Sequence, residues 1–369
     1  MKNIKIITLT ACIALMLSLM LFSSCSNDDS SSSSGALTPV IESVMRTGYD
    51  EDGVVLPLEP INFGIPKNYY IIHGKGLLST QKVYFNDYDT PFRPTYVTDT
   101  DIVILIDTNT PYANSSNKIK LVTNNGTVLY DFLIAPPAPV LDWFNPMNGA
   151  AGDEITISGN YFLNPIVTLA ATPTLPAVPV TVVSSTLTSI KIKIPANANN
   201  RNISVANLSG TATSVAAIGS SIYDDKFYSL DGGANGGWGI SNVTLQNTTA
   251  GEVAQGLKAI KFDINAWSGF QADMWSNPIP VPAGSIGIRF QMKASTPCAI
   301  GVIINQGNWG NAGDPAGPAP FSLNNKFSEY VIKWADLGLT AAPASITSIV
   351  FFNNGTASTQ YIDDIGFKF

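Results

Sequence analysis

Histidine is almost absent from this chain: His73 is the only one in 369 residues. That removes most imidazole-based acid–base chemistry and nearly all His-rich metal sites. Cysteine is nearly as scarce, and three (Cys12, Cys25 and Cys298) cannot build a disulfide framework. Charged residues make up 13%, about half the usual quarter. The balance is acidic, 20 Lys+Arg against 27 Asp+Glu for a net −7. The arginines are Arg46, Arg93, Arg201 and Arg289 alone, so no basic surface is available for nucleic acid or another polyanion. From residue 37 to about 220 no window carries a convincing 3.6-residue apolar period, so amphipathic helices are not expected there. What the chain does have is apolar residue, 45% of the total, enough for sizeable cores. At about 150 residues per domain the length suits two or three domains.

The N-terminus reads as an address. Lys2 and Lys5 precede an uncharged, mostly apolar run over 6–22. The run is slightly longer than an ordinary signal-peptide core, so a transmembrane anchor of the same outward topology is the alternative. Phe22-Ser23-Ser24-Cys25 resembles a bacterial lipobox, with Phe22 where leucine usually stands. Ser26-Asn27-Asp28-Asp29 is similar to the acidic export tag of Bacteroidetes surface lipoproteins. The resemblance implies a signal peptide over 1–24, lipidation at Cys25 and display on the cell outer membrane. Each buried acyl CH₂ contributes about 0.8 kcal/mol, so several chains hold a protein without a membrane span. The Ser-rich stretch 25–36 reads as a flexible tether, with a root-mean-square reach of roughly 17–20 Å. Cleavage and lipidation leave Cys298 as the one free thiol, so no intrachain disulfide is expected.

From residue 37 to about 220 the chain is short β-favouring runs broken by Gly, Pro and Asn. A repeat is visible there. Tyr70-Ile71-Ile72-His73-Gly74-Lys75-Gly76-Leu77 aligns with Ile155-Thr156-Ile157-Ser158-Gly159-Asn160-Tyr161-Phe162, and Gly126 aligns with Gly210 in nearly the same register. Two β-sandwich units follow from it, 37–136 and 137–220. The second opens with Pro139, runs through Pro146-Met147-Asn148-Gly149-Ala150-Ala151-Gly152 and an alternating strand, and reaches Gly159-Asn160-Tyr161. This resembles the start of IPT/TIG immunoglobulin-like domains; the first unit lacks that signature and matches less well. His73 reads as a packed or half-exposed side chain, not a ligand. Trp143 reads as a staple at a module joint, and Ala135-Pro136-Pro137-Ala138-Pro139 as a stiff linker.

Residues 221–369 hold five of the six tryptophans: Trp238, Trp267, Trp275, Trp309 and Trp334. β runs at 259–264, 269–275, 285–293, 299–305, 329–334, 346–352 and 361–369 fit a two-sheet jelly roll. Ile222-Tyr223-Asp224-Asp225, the 327–337 stretch around Trp334 and the closing Tyr361-Ile362-Asp363-Asp364-Ile365-Gly366-Phe367 resemble pieces of jelly-roll carbohydrate-binding modules. The fold expected is therefore all-β: two immunoglobulin-like (IPT/TIG) sandwiches followed by a jelly-roll sandwich. With the lipobox, this order of modules resembles the surface glycan-binding lipoproteins of Bacteroidetes polysaccharide-uptake systems. That resemblance implies other components of an uptake complex as partners.

The residues point the same way by themselves. Along 269–275, Phe270, Ala272 and Met274 fall on one face, and Gln271, Asp273 and Trp275 on the other. Along 259–264, Ile260, Phe262 and Ile264 point inward, and an extension would turn Trp267 outward. If the two runs are neighbouring strands, they offer aromatic platforms flanked by amide and carboxylate groups, which suits a pyranose ring and its hydroxyls. Trp238 and Trp309 stand in glycine-rich segments read as loops, with Asn305 near Trp309. The candidate glycan contacts are thus Trp275, Trp267, Trp309, Trp238, Gln271, Asp273 and Asn305; Trp334 is assigned to the core. Eight Lys+Arg against eleven Asp+Glu leave this region at −3, which favours a neutral polysaccharide, with β-glucan or xyloglucan the preferred class. Two other functions remain open. An adhesin or structural surface protein would show an apolar patch without paired amides. A glycan-cleaving enzyme would need two carboxylates about 5–9.5 Å apart, and Asp263 with Asp273 on adjacent strands is the available pair. No organic cofactor is expected. Asp224, Asp225, Asp363 and Asp364 are a candidate structural Ca²⁺ site, because oxygen ligands suit that ion and first and last strands often pair.

Overall fold

The computed structural model describes residues 37–48, 55, 57–229, 235–305 and 321–369. The lipobox, Cys25 and Trp309 lie outside them. Among the described residues there are only strands and two 3₁₀ turns, and no helix is long and apolar enough to cross a membrane. The chain is all-β, with three separate apolar cores.

The first two cores lie inside immunoglobulin-like sandwiches of two four-stranded antiparallel sheets each. In the first, Pro60–Ile61, Val40–Arg46, Tyr69–Lys75 and Asp101–Leu105 form one sheet. Tyr88–Asp89, Thr80–Phe85, Lys118–Thr123 and Gly126–Asp131 form the other. In the second, Val140–Asn145, Glu154–Asn160, Ser189–Lys193 and Val182–Ser185 face Val178–Val180, Ile166–Leu169, Asn202–Asn207 and Gly210–Ala217. The sequence repeat has a structural cause. Tyr69–Lys75 and Glu154–Asn160 share one alternation of buried and exposed positions. Each pairs with a preceding strand whose register slips at the same place, between Ile41 and Ser43 and between Leu141 and Trp143. At that slip the carbonyl of the preceding strand crowds the glycine. A Cβ on Gly74 would lie 1.9 Å from the Val40 oxygen, and one on Gly159 2.0 Å from the Val140 oxygen. The linker is clamped by the second sandwich: Asn207 Nδ2 donates to the Pro137 carbonyl at 2.9 Å and Ser209 Oγ to that of Pro136.

The third core belongs to a nine-stranded assembly folded into a sandwich by one strand. Ala259–Asp273 is continuous over 15 residues. Its first half, Ile260 to Ile264, pairs with Ser358–Lys368, beyond which lie Gly287–Ala294 and Ser328–Lys333. Its second half, Ser268 to Asp273, pairs instead with Ser348–Asn353, followed by Cys298–Ile304 and Phe321–Leu323. The strand therefore passes from one sheet into the other, bending at 265–268. Asn235–Asn247 runs alongside both halves. The runs 259–264 and 269–275 are consequently not neighbouring strands, as the sequence led us to expect. They lie end to end in one strand.

The second sandwich docks on the outer face of the first of these sheets. Asn145 Nδ2 donates to Asp225 Oδ2 (2.9 Å), the Met147 amide to Asp224 Oδ2 (3.2 Å), and Asn148 exchanges hydrogen bonds with the Ser221 backbone (2.7 and 3.0 Å). Arg289, fully buried, pairs with Asp364 and touches Met147 Sδ at 3.7 Å. Trp143 lines the crevice of this joint together with Asp224, Asp225 and Gln255. Docking through one sheet leaves the outer face of the other for a ligand.

Candidate functional site

That remaining face is built from cross-strand rows. Trp238 lies opposite Gly269, Gly269 opposite Phe352, and Phe352 opposite Gly301. In the next row Gly236 is opposite Gln271, Gln271 opposite Val350 and Val350 opposite Ile303. Asp273 opposite Ser348 forms a third. Trp238, Gly269, Gln271, Asp273 and Phe352 alternate with Phe270, Ala272, Ile349 and Phe351, whose side chains fill the core, so they share the other side of the pleat; on that side Val350, Ile303 and Ser348 are themselves buried, so only part of the face is open. None of them carries a positive charge.

The first row is an aromatic cluster. The Trp238 ring covers Gly269, where a Cβ would come within 2.7 Å of the indole. Its centroid lies 6.0 Å from that of Phe352, and Trp267 lies 6.5 Å from the same ring on the bend. Trp267 is 61% exposed although it sits within a strand, because its backbone is left-handed (φ 59°). That conformation is unusual for a bulky residue and needs outside support. The support is visible. Trp238 Nε1 donates to the Trp267 carbonyl at 3.3 Å, Ser268 Oγ to that of Ala266 at 3.3 Å, and the buried Asn353 amide to that of Asn265 at 2.9 Å. The arrangement fixes an indole outside the sheet before any ligand arrives.

The polar groups stand one and two rows away. Gln271 Nε2 donates to both carboxylate oxygens of Asp273 at 2.7 Å, which locks the pair together on the surface. Trp275 is 48% exposed, but it lies beyond the strand end, six residues or about 20 Å of extended chain from Gly269. Trp238 is in a strand and not a glycine loop; its glycines permit close strand approach, and Gly237 would otherwise meet the Gly269 oxygen at 1.9 Å. Asn305 is turned to another task. Its amide donates to the Ser345 carbonyl at 2.8 Å and accepts from the Thr347 amide at 2.7 Å, holding the strand end. Trp334 is core, as expected, but in a 3₁₀ turn, with Nε1 donating to the Ser285 carbonyl at 2.8 Å. Phe352 is the member of this aromatic cluster that the sequence reading missed. Its only signal is an aromatic next to Phe351 in a strand whose partner face was already assigned.

The carboxylates elsewhere serve structure. Asp263 and Asp273 occupy opposite halves of one strand and belong to different sheets, opposite Thr359 and Ser348, so the adjacent-strand pair expected from the sequence does not form. Asp263 is held below the usual carboxylate range by hydrogen bonds from Thr359 (2.6 Å) and Asn242 (2.7 Å). Burial acts upward on Glu252, but hydrogen bonds from Lys261 and Tyr361 hold its pKa below the ordinary value. The four aspartates proposed for Ca²⁺ do converge, through pairing of Ser221–Tyr223 with Ser358–Lys368. Most of their oxygens are directed at donors: Asp225 accepts from the Leu257 and Lys258 amides, Asp363 from those of Ala254 and Gln255, Asp224 from Met147 and Tyr228, and Asp364 Oδ2 pairs with Arg289, leaving Asp364 Oδ1 buried without a partner. Among the described residues no group of three or more His, Cys, Asp or Glu side chains is arranged to hold a metal ion. The residues present do not fit a calcium site. His73 is half-exposed and hydrogen-bonded through Nδ1 to Asp101 at 2.8 Å.

No family model matches the chain. It is similar to an IPT/TIG domain-containing protein of Bacteroides ovatus, 27% identical over 153 residues, which is 40% of this chain and 29% of that protein. The chain thus spans less than a third of the length of the curated relative it matches. Among solved structures it is similar to a surface glycan-binding protein of Prevotella bryantii, at 15% identity and a TM-score of 0.44, covering 90% of this chain and 98% of that one. A surface glycan-binding protein from a complex xyloglucan utilization locus of Bacteroides uniformis is 13% identical with a TM-score of 0.35, covering 90% and 100%. A family 29 carbohydrate-binding module aligns with 39% of this chain and 87% of its own, at 13% identity and a TM-score of 0.27.

Proposed function

We propose that this protein is a non-catalytic, cell-surface glycan-binding lipoprotein. It captures a neutral polysaccharide of the β-glucan or xyloglucan type on the outer face of its C-terminal sandwich and delivers it to an outer-membrane uptake system. The observation that carries the reading is Trp267, an indole held bare on the bend of a strand beside Trp238 and Phe352. The Gln271–Asp273 pair on the same face adds amide and carboxylate groups for hydroxyls. A bare indole that stacks on a sugar ring removes about 100 Å² of apolar surface from water, roughly 2.5 kcal/mol at ~25 cal/mol/Å². Each net hydrogen bond adds about 1 kcal/mol. After association costs this gives micromolar to millimolar affinity, which suits capture followed by hand-over. The lack of a cation among the described residues of the face supports a neutral ligand. Surface attachment rests on Cys25 and the Ser26-Asn27-Asp28-Asp29 segment after it. The two immunoglobulin-like units then act as a spacer between membrane and site.

In native gels containing soluble xyloglucan or mixed-linkage β-glucan, the full chain is expected to be retarded. Trp267→Ala and Trp275→Ala should each weaken retention about tenfold or more, while their melting temperatures stay close to that of the unaltered chain, since both rings are largely exposed. Migration unaffected by every neutral glucan, mannan and xylan tested would overturn the proposal.

A further inference from the structure

Seven glycines lie inside the strands of the C-terminal sandwich that the structure describes, and five have a visible reason to be there. Gly237 and Gly239 adopt positive φ, and a Cβ on either would strike the neighbouring strand at about 2 Å. Gly269 makes room for the Trp238 ring. Gly287 faces the Ile332 carbonyl at 2.1 Å from a built Cβ, and Gly366 faces Arg289 and the Ser220 carbonyl at 2.9 Å. Gly236 and Gly301 have no such reason. Neither has a left-handed backbone, and a Cβ on either meets nothing within 4 Å. Glycine weakens a strand interior, and where neither conformation nor packing requires it, the remaining use is the close approach of a ligand.

Both unexplained glycines fall on one face, the face of the aromatic cluster. Gly301 lies opposite Phe352, on the side away from Gly269 and Trp238. Gly236 lies opposite Gln271. The bare backbone thus flanks an aromatic ring in one row and an amide in the next.

We infer that Gly236 and Gly301 are specificity-determining positions, where sugar rings of the bound chain lie directly on the glycine backbone, against the edge of Phe352 and beside the Gln271 amide. This rests on the proposed glycan-binding function and deepens it. The floor of the site is peptide backbone and its walls are aromatic, so ring C–H faces meet the sheet while hydroxyls reach Gln271 and Asp273. Any side chain at 236 or 301 occupies the volume the ring needs and is tolerated by the fold.

The test uses the full chain with Gly301→Val and Gly236→Val, and with the smaller Gly301→Ala and Gly236→Ala in case either valine variant fails to fold. Trp267→Ala is run in parallel. Soluble xyloglucan and mixed-linkage β-glucan are the probes, in affinity gels and calorimetry, with thermal unfolding measured on every variant. The expected result is melting temperatures equal to or above the parent, with affinity at least tenfold lower for the valine variants and intermediate for the alanine ones. Folded glycine variants that bind like the parent, when Trp267→Ala has lost binding, would overturn this inference and leave the glycan site standing. If the parent binds neither probe, or Trp267→Ala binds as well as the parent, the proposed site fails and this inference falls with it.

Discussion

Trp334 and Trp267 are the same residue type put to opposite uses, and their neighbours decide which. Trp334 buries its ring under the sheets and satisfies its N–H on the Ser285 carbonyl. Trp267 is turned out by a left-handed backbone that Trp238, Ser268 and Asn353 hold in place. A second single-residue case is Asp363. Burial raises its pKa from 3.8 to about 8, against the pull of the Gln255 and Ala254 amides. Between these two values the folded protein keeps a proton that the unfolded chain releases. Stability is therefore greatest below about pH 4 as far as this group is concerned, and falls as pH rises to about 8. Thermal unfolding from about pH 5 to about pH 9 should show a decline of several degrees from this group, and Asp363→Asn should flatten it. An unchanged slope in the variant would show that Asp363 ionises normally. The aspartates were visible in the sequence as a converging group, but not their role, because amide donors from 254–258 reach them only in the folded chain. Trp267 is exposed, but not through the continued alternation the sequence suggested: Asn265, Ala266 and Trp267 are exposed in succession, and the positive φ that turns the indole out has no sequence mark.

At the scale of elements, the strictly alternating strands were the legible ones. Glu154–Asn160 and Tyr69–Lys75 bury the residues that alternation assigns inward. Gly74 and Gly159 were recognised by their spacing, and the structure supplies the reason, a carbonyl at about 2 Å from where a Cβ would stand. Gly159→Ala should therefore cost about 2–3 kcal/mol, the upper part of the range for overpacking, because backbone and not only a flexible side chain must yield. Chemical denaturation of the full chain would register this as an earlier transition of the second sandwich; coincident curves would contradict it. Gly301→Val, in open space, provides the contrast. Two elements were misread. The segment Gly236-Gly237-Trp238-Gly239 looked like a loop because of its glycines, yet it opens the strand Asn235–Asn247, whose pairing with the long strand overrides that local signal. Ala259–Asp273 looked like two strands because alternation lapses at 265–268, where the chain changes sheets.

At the scale of the whole molecule, the joint between the second and third sandwiches determines which face stays free. Side chains Asn145, Asn148, Asp224 and Asp225 bridge it, around the buried Arg289–Asp364 pair. Replacing Asn145 and Asn148 together by alanine removes side-chain bonds that contribute about 1 kcal/mol each. Small-angle scattering should then show a broader distribution of overall dimensions, and proteolysis near 218–222 should accelerate, while polysaccharide retention is unchanged. A scattering profile identical to the parent would mean that apolar contact alone fixes the joint. The sequence by itself determined the all-β class, the repeat, the apolar core positions and the excess of tryptophan in the last part of the chain. These follow from residue-level preferences that act over a few neighbours. Only the tertiary structure decided that Trp238, Trp267 and Phe352 meet, that Asn305 serves a strand end, and that Asp263 and Asp273 belong to different sheets. Those outcomes depend on one strand changing sheets, and strand pairing over long separations in sequence is not encoded in any local pattern.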